Sequence, residues 1–285
     1  MQAVAANWGN DREVPSELAI NLATVREQFG LKEAVEACAA LGIRSLGFLT
    51  DQMRAVGLPE AVRIAEDNGV RVTGLARGGI FPAALPEGRA QAISDTKRAV
   101  DEAAALGAEC LIILAGGLPA GTRDLAFARE MVCEGLFAVH QYALLSGIPL
   151  ALEPLHPMYA ADRACLNTLE QALDICDLLG EGTGIAFDTY HTWWDPKLEE
   201  QIVRAGKRRL LAYHVSDWLV PTRHLLFDRG MMGDGVIDFC RMRSLLSGMG
   251  YEGSHEVEIF SSEWWSRPGE LVLRTCLERF IAHCT

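Results

Sequence analysis

No run of about eighteen apolar residues occurs in the chain, and a helix needs that length to cross the hydrocarbon core of a bilayer. The N-terminus also lacks the basic stretch followed by an apolar segment that marks a secretory signal. We therefore expect neither a membrane span nor export, and we predict a cytoplasmic protein.

Positive charge is also scarce. The sequence has 26 lysines and arginines against 38 aspartates and glutamates, so its formal net charge is −12. A chain this acidic is poorly suited to neutralising the phosphates of DNA or RNA. We expect a small-molecule partner, and neither a nucleic acid nor a membrane.

The cysteines form no Cys-x-x-Cys pair, which is the spacing typical of zinc sites and redox motifs. They are scattered through segments of helix or strand character, where a free cysteine packs as a small hydrophobe. We expect buried thiols in a reducing compartment. The eight are Cys38, Cys110, Cys133, Cys165, Cys176, Cys240, Cys276 and Cys284.

The sequence does contain a regular alternation of short apolar segments with amphipathic helical stretches. Nearly continuous apolar runs of this length indicate strands that are buried on both faces. The predicted strands are Leu18–Leu22, Ser45–Leu49, Val70–Leu75, Cys110–Leu114, Pro149–Glu153, Gly184–Asp188, Leu210–His214 and Ser254–Phe260. Helix ends are predicted at Gly42, Gly69, Gly107, Gly147, Gly180, Gly206 and Gly250, because glycine readily takes the positive φ that ends a helix.

Eight strand-helix units with parallel crossovers close most simply as a single (β/α)8 TIM barrel. The alternative is an open doubly wound sheet that binds a dinucleotide. Its Gly-x-Gly-x-x-Gly fingerprint is absent, because the first strand is followed by Ala23-Thr-Val-Arg-Glu-Gln-Phe-Gly30. We therefore predict one barrel over residues 17–285, preceded by a short N-terminal extension over residues 1–16.

Four of the predicted strands carry, at or near their ends, a side chain of a type that binds divalent metals. The segments are Leu150-Ala-Leu-Glu153, Gly184-Ile-Ala-Phe-Asp188, Leu211-Ala-Tyr-His214 and Val257-Glu258. In a parallel barrel all strands end at the same rim, so these side chains are expected to converge. Three carboxylates and one imidazole suit Mn²⁺, Mg²⁺, Co²⁺ or Zn²⁺.

The last strand offers two glutamates for this metal site. Glu256 and Glu258 are two residues apart and point to the same face of the strand. Glu258 lies nearer the rim and is our predicted ligand. Glu256 is expected one layer deeper, where a charge needs a partner.

Five motifs carry a family resemblance. The motifs are Glu153-Pro-Leu-His156, Phe187-Asp-Thr-Tyr-His191, His214-Val-Ser-Asp-Trp218, Gly233-Asp-Gly-Val-Ile-Asp238 and Val257-Glu-Ile-Phe260, and the resemblance covers residues 17–283. With them the chain resembles the xylose isomerase-like barrels, in particular the sugar phosphate isomerase/epimerase branch that includes ketohexose 3-epimerases and inositol-pathway isomerases and dehydratases. The resemblance implies a metal held by Glu153, Asp188, His214 and Glu258, and a homo-oligomer.

The implied activity is a divalent-metal-dependent isomerisation or epimerisation of a sugar, ketose or inosose, either free or phosphorylated. The metal would chelate a carbonyl and the neighbouring hydroxyl and stabilise the enediolate formed when a C–H proton leaves. By analogy with the epimerases, Glu153 and Glu258 would act from opposite faces of the substrate as base and acid.

Four further side chains are predicted to bind the substrate. The family pattern places His191 against a substrate hydroxyl, and His156 is proposed on similar grounds. Arg229, in the long loop after the seventh strand, has a guanidinium suited to a hydroxyl, carboxylate or phosphate. Arg77 follows the third strand as a second cation at the rim.

Three other functions compete with this activity, and two of them stay open. A metal-dependent dehydratase of the inosose or dehydroshikimate type needs the same residues, because it removes the same proton before it loses hydroxide. A non-catalytic metal-binding barrel is possible on one sequence, although it has little need for two glutamates. An apurinic-site endonuclease is disfavoured by the net charge and by the absence of an Asp-x-His motif after His214.

Overall fold

The computed structural model describes residues 13–285 and contains a closed barrel of eight parallel strands. These strands are β1 (Leu18–Asn21), β2 (Ser45–Leu49), β3 (Arg71–Gly79), β4 (Leu111–Leu114), β5 (Leu150–Glu153), β6 (Thr183–Asp188), β7 (Leu210–Val215) and β10 (His255–Val257). Each strand pairs with its neighbour in the chain, and β10 closes the ring against β1. The predicted (β/α)8 barrel is confirmed.

Helices surround the barrel. They are α1 (Leu31–Ala40), α2 (Thr50–Val56), α3 (Leu58–Asp67), α4 (Pro86–Leu106), α5 (Leu125–Leu145), α6 (Leu169–Leu179), α7 (Thr189–Thr192), α8 (Leu198–Arg209), α9 (Phe239–Gly248), α10 (Ser262–Trp265) and α11 (Gly269–His283). No described helix has both the length and the apolar character to cross a membrane. All seven glycines predicted to end helices take positive φ angles, but Gly206 does so at a kink inside α8, which continues to Arg209.

The last barrel strand is shorter than the sequence predicts. The predicted strand runs to Phe260, whereas β10 ends at Val257. Its neighbour β1 stops at Asn21, whose side chain accepts a hydrogen bond from Ala23 N–H and starts a 3₁₀ turn. The Thr24 hydroxyl then donates to Val257 O and accepts from Ile259 N–H, both at 3.0 Å. A side chain thus replaces strand pairing at the barrel mouth.

Small residues line the barrel interior below the rim. Three alanines lie two positions before the ligand-type side chains: Ala151 before Glu153, Ala186 before Asp188 and Ala212 before His214. All three are buried in one cluster. Residues two apart on a strand share a face. The side chains at the three strand ends therefore also face the barrel axis, above a layer of methyl groups.

The described part of the predicted N-terminal extension leads directly into the barrel. Residues 1–12 lie outside the described residues, and Leu18 N–H donates to Pro15 O at 3.1 Å.

All eight cysteines are free thiols, and six are buried as expected. Cys240 is exposed and Cys133 is half-buried, so the expected burial is wrong for these two.

His255 of β10 makes stability depend on pH. Burial among aromatic rings lowers the pKa of His255 to about 4, with Glu17 opposing and Arg243 adding to the shift. The folded protein holds this imidazole neutral, whereas the unfolded chain protonates it below about pH 6.5. The contribution of neutral His255 to the unfolding free energy is complete above pH 6.5. As the pH falls from 6.5 to 4, this contribution is lost, and the unfolding free energy decreases by roughly 2 to 3 kcal/mol.

We expect His255→Leu to lose less stability than the wild type between pH 6.5 and pH 4. Urea denaturation at several pH values measures the unfolding free energy of both proteins, and their difference cancels the other titrating groups. His283→Leu, on the outer helix α11, is the control and should follow the wild type. Parallel pH curves for wild type and His255→Leu would contradict the prediction.

Candidate metal centre

Four ligand-type side chains from separate strands meet inside the barrel mouth. One potential ligand atom from each of Glu153, Asp188, His214 and Glu258 lies within 4.8 Å of the other three. All four residues are buried, between 0 and 6% exposed. Glu153 ends β5, Asp188 ends β6, His214 lies in β7, and Glu258 directly follows β10. These strands are consecutive in the barrel, and Asp188 is in register with His214.

The two glutamates of the last strand occupy different levels. Glu258 reaches the cluster at the mouth, whereas Glu256 points into the barrel below it. Asn21 Nδ2 donates to Glu256 Oε1 at 2.7 Å, and the Thr73 hydroxyl donates to the other oxygen. The expectation that a deeper carboxylate needs partners therefore agrees with the geometry.

Arg229 crosses the cluster from the loop after β7. Its Nη1 lies 3.0 Å from Asp188 Oδ2 and 2.7 Å from Glu258 Oε2, and its guanidinium stacks over the rings of Tyr190 and Phe260. The residue is 4% exposed. A fully buried guanidinium of this kind is stable only with such partners. Arg229 therefore balances part of the negative charge of the cluster.

A short antiparallel ribbon brings Arg229 to this position. Strands β8 (Asp217–Trp218) and β9 (Arg229–Gly230) pair with each other outside the barrel. The buried carboxylate of Asp217 accepts hydrogen bonds from the N–H groups of Gly233, Gly235 and Ile237 at 2.8 to 3.0 Å. These bonds fold the following loop around Asp217. The sequence predicts a loop here and does not indicate the ribbon.

The electrostatics of the cluster are those of crowded carboxylates. Burial raises the pKa of Glu258 to about 7, against the opposing charges of Arg229 and His214. Burial would also raise the pKa of Asp188, but Arg229 and the two histidines hold it below its usual value. For His214 burial acts downward, and the hydrogen bond to Glu153 with the charges of Glu256 and Glu258 raises its pKa to about 10. The site therefore favours added positive charge.

His214 presents its two ring nitrogens to different carboxylates. Nδ1 lies 3.0 Å from Glu153 Oε1 and faces the cluster. Nε2 is buried, lies 3.7 Å from Glu256 Oε1, and has no hydrogen-bond partner within residues 13–285. A metal-binding histidine commonly donates from its distal nitrogen to such a carboxylate while the other nitrogen holds the metal. This arrangement and the three convergent carboxylates fit a divalent cation.

Two residues of the cluster, Glu153 and Glu258, line a cavity of about 490 Å³. Three of the residues predicted to bind substrate line it, namely His191, Arg229 and Arg77. His191 is buried with Nε2 3.0 Å from Arg229 Nη2, and burial lowers its pKa to about 3. His191 is therefore a neutral ring beside a charged guanidinium.

His156 is not among the residues that line the cavity. Its Nδ1 accepts a hydrogen bond from Met158 N–H at 3.2 Å, and its ring stacks on Trp218 at 4.8 Å between centroids. The structure therefore places this residue in loop packing beside the site, and its substrate role stays a prediction.

The cavity also contains residues that the sequence analysis did not identify. Arg163, from the loop after β5, lines it together with residues of the segments that follow β1 and β2. Tyr159 and Phe227 supply aromatic wall, together with Phe260 from the motif after β10. No local motif marks Arg163, Tyr159 or Phe227, because they reach the cavity through loops rather than through strand ends.

Addition of Mn²⁺ or Zn²⁺ to chelator-treated protein is expected to raise its melting temperature. Binding at a hundred times the dissociation constant adds about 2.7 kcal/mol to the unfolding free energy. Asp188→Asn should lose most of this shift, because the amide removes one anionic oxygen but keeps an acceptor for Tyr190 N–H. Differential scanning fluorimetry checks this, with exposed Asp174→Asn as control. Equal shifts in wild type and Asp188→Asn would contradict the predicted ligand.

Comparison with known proteins matches residues 35–282 to a family model described as xylose isomerase-like TIM barrel. An inosose isomerase of Bacillus velezensis is 25% identical over 274 residues, which cover 92% of this chain and 95% of that protein. A second inosose isomerase, from Bacillus subtilis, is 22% identical and covers 91% of this chain and 94% of its own length.

Solved structures share the same fold. The protein SMc04130 of Sinorhizobium meliloti superposes with a TM-score of 0.93 at 56% identity, covering 94% of this chain and 98% of that one. The IOLI protein with a binding zinc atom gives a TM-score of 0.81 at 20% identity, with the same coverage of 94% and 98%. A D-psicose 3-epimerase of Clostridium cellulolyticum gives 0.73 at 18% identity, again covering 94% and 98%.

Proposed function

This chain belongs to the xylose isomerase-like TIM barrel family, and from that premise we propose that it is a divalent-metal-dependent isomerase or epimerase of a ketose, inosose or related polyol. The observation that carries the proposal is the buried cluster of Glu153, Asp188, His214 and Glu258. Two of these residues, Glu153 and Glu258, also line the cavity, where a substrate can contact them. The inosose isomerases and the 3-epimerase among the relatives support this class of reaction.

The cluster would hold Mn²⁺, Mg²⁺, Co²⁺ or Zn²⁺ through Glu153, Asp188, His214 and Glu258. When bound, such a cation supplies Lewis-acid polarisation of a carbonyl, which acidifies the adjacent C–H. Arg229 keeps the carboxylates of Asp188 and Glu258 in place from one side. Below the cluster, the carboxylate of Glu256 lies 3.7 Å from His214 Nε2.

We assign the proton transfer between substrate faces to the two glutamates. Glu153 and Glu258 come from β5 and from the end of β10, which are separated in the barrel by β6 and β7. One carboxylate removes the proton from the carbon beside the carbonyl, and the other returns a proton to the opposite face. The outcome is inversion at that carbon, or migration of the carbonyl when the proton returns to the neighbouring carbon.

Solvent exchange tests this proposal directly. Protein loaded with one cation at a time is incubated in D₂O with ketoses, an inosose and hydroxypyruvate, and proton NMR follows loss of the C–H signal beside the carbonyl. We expect exchange with at least one substrate, and we expect chelation of the metal to abolish that exchange. Exchange that is equally fast in chelator-treated protein would overturn the metal-dependent mechanism.

The same spectra distinguish the dehydratase alternative. An epimer or isomer keeps the number of hydroxyl groups, whereas loss of hydroxide produces an unsaturated product that absorbs in the ultraviolet. A product of this second type would reassign the chain to dehydration on the same residues.

A further inference from the structure

The charges around the cavity are paired unevenly. On the side of β1 and β2, Arg26 bonds Asp51 at 2.8 Å and lies 3.7 Å from Glu27. On the metal side, Arg229 and His214 face the carboxylates of the cluster. Every carboxylate that lines the cavity therefore has a cationic or imidazole partner.

Two arginines on the remaining side have no such partner. Arg77 and Arg163 both line the cavity, and within residues 13–285 neither forms an ion pair. Arg163 has a buried Nε atom without a hydrogen-bond partner in the same range. Arg77 is exposed, and its guanidinium makes no hydrogen bond within residues 13–285.

The two guanidinium groups share one cavity. Partial burial and then the positive charge of Arg163 lower the pKa of Arg77, against the opposing charges of Asp51 and Glu153. Like charges held together in a partly desolvated cavity repel, and an anion between them removes the repulsion.

The fold holds Arg163 in this position. The loop after β5 turns back over the end of β4, where Leu118 N–H donates to Ala161 O at 2.7 Å and Cys165 N–H donates to Gly116 O at 2.8 Å. A Cβ on Gly117 would lie 2.5 Å from Ala161 O, so the two loops are in close contact. The loop that carries Arg163 is thereby fixed beside β4. Arg77 lies within the neighbouring strand β3, which continues to Gly79 instead of ending before Arg77 as predicted.

We propose that Arg77 and Arg163 form a subsite for an oxyanion carried by the substrate, a carboxylate or a phosphate, in the same cavity that Glu153 and Glu258 of the metal centre line. The inference rests on the proposed function and narrows its substrate to an acidic or phosphorylated ketose. Guanidinium groups bind both anions through paired, charge-assisted hydrogen bonds. A cavity of about 490 Å³ has room for a polyol between the two centres.

Binding of inorganic phosphate tests the subsite without any turnover. Chelator-treated protein is titrated with phosphate, and in parallel with acetate, by isothermal calorimetry, so that no metal can bind either anion. We expect Arg77→Gln and Arg163→Gln each to weaken binding at least tenfold. Arg241→Gln, an exposed arginine paired with Glu199 outside the cavity, should bind as the wild type does. Equal binding by all four proteins, or no binding by the wild type, would overturn the subsite.

A substrate comparison distinguishes the carboxylate from the phosphate. Exchange in D₂O is measured for a neutral ketose, its phosphate ester and the corresponding keto-uronic acid. We expect the wild type to prefer one anionic form, and the ratio of kcat/KM for that form over the neutral ketose to fall at least tenfold in both arginine variants. A ratio that the variants leave unchanged would refute the inference.

The two proposals fail in different ways. Exchange of neutral ketoses without phosphate binding would leave the isomerase function intact and remove the anion subsite. Phosphate binding that depends on Arg77 and Arg163 without exchange of any ketose would leave the subsite intact and remove the isomerase function.

Discussion

Glu153→Gln and Glu258→Gln are each expected to reduce the rate of solvent exchange by about 10² to 10⁴ while the barrel stays folded. Glutamine has nearly the shape of glutamate, but its amide neither accepts a substrate proton nor carries the negative charge that a cation needs. Both residues are buried in the cluster and line the cavity, so loss of either carboxylate is expected to impair the proton transfer itself. NMR exchange with the substrate found active in the wild type measures the rate.

Metal content must be measured in the same samples, because a glutamate can act as ligand and as base. A variant that keeps its metal and loses exchange has lost proton transfer, whereas one that loses both has lost the ligand. The matched control is Glu102→Gln, a buried glutamate on α4 that pairs with Arg54 away from the cavity. Its exchange rate should stay close to that of the wild type. Near wild-type exchange in both cluster variants would contradict the assigned roles.

Gly47→Ala is expected to destabilise the protein by about 2 to 3 kcal/mol through overpacking. A Cβ at this position on β2 would lie 1.9 Å from Glu256 Oε1. Glu256 has little freedom to move away, because Asn21 and Thr73 hold its two oxygens inside the barrel. Urea denaturation of wild type and variant measures the difference in unfolding free energy.

A second substitution separates this clash from a general intolerance of alanine. Glu256→Ala removes the opposing carboxylate, so Gly47→Ala should cost clearly less in that background, as a double-mutant cycle can show. Gly248→Ala in α9 is the control, since nothing lies within 4 Å of a Cβ there. It should be neutral or slightly stabilising, because alanine favours a helix over glycine. If Gly47→Ala costs the same in both backgrounds, Glu256 is not the cause.

Much of the barrel was predictable because its signals are local. Apolar runs mark strands buried on both faces, and each predicted helix end has a glycine with positive φ. The strand end at Glu153 was placed correctly, since a carboxylate after an apolar run marks the rim. The end of β10 was not, because Thr24, more than two hundred residues away in sequence, replaces its pairing.

The cluster followed from the same local signals combined with one rule of topology. Once parallel strands close into a barrel, their ends share a rim, and Glu153, Asp188, His214 and Glu258 must approach one another. The structure brings their ligand atoms within 4.8 Å. Their role as ligands remains a prediction until metal binding is measured.

The sequence by itself therefore determined the barrel and the strand ends that carry its four ligand-type side chains, because periodicity, helix-ending glycines and apolar runs are properties of neighbouring residues. Only the tertiary structure decided that Glu256 lies beneath His214, that the β8–β9 ribbon brings Arg229 to Asp188 and Glu258, and that Arg163 and Arg77 line one cavity. Those contacts join loops and strands that are distant in sequence, and their geometry depends on how the whole chain packs.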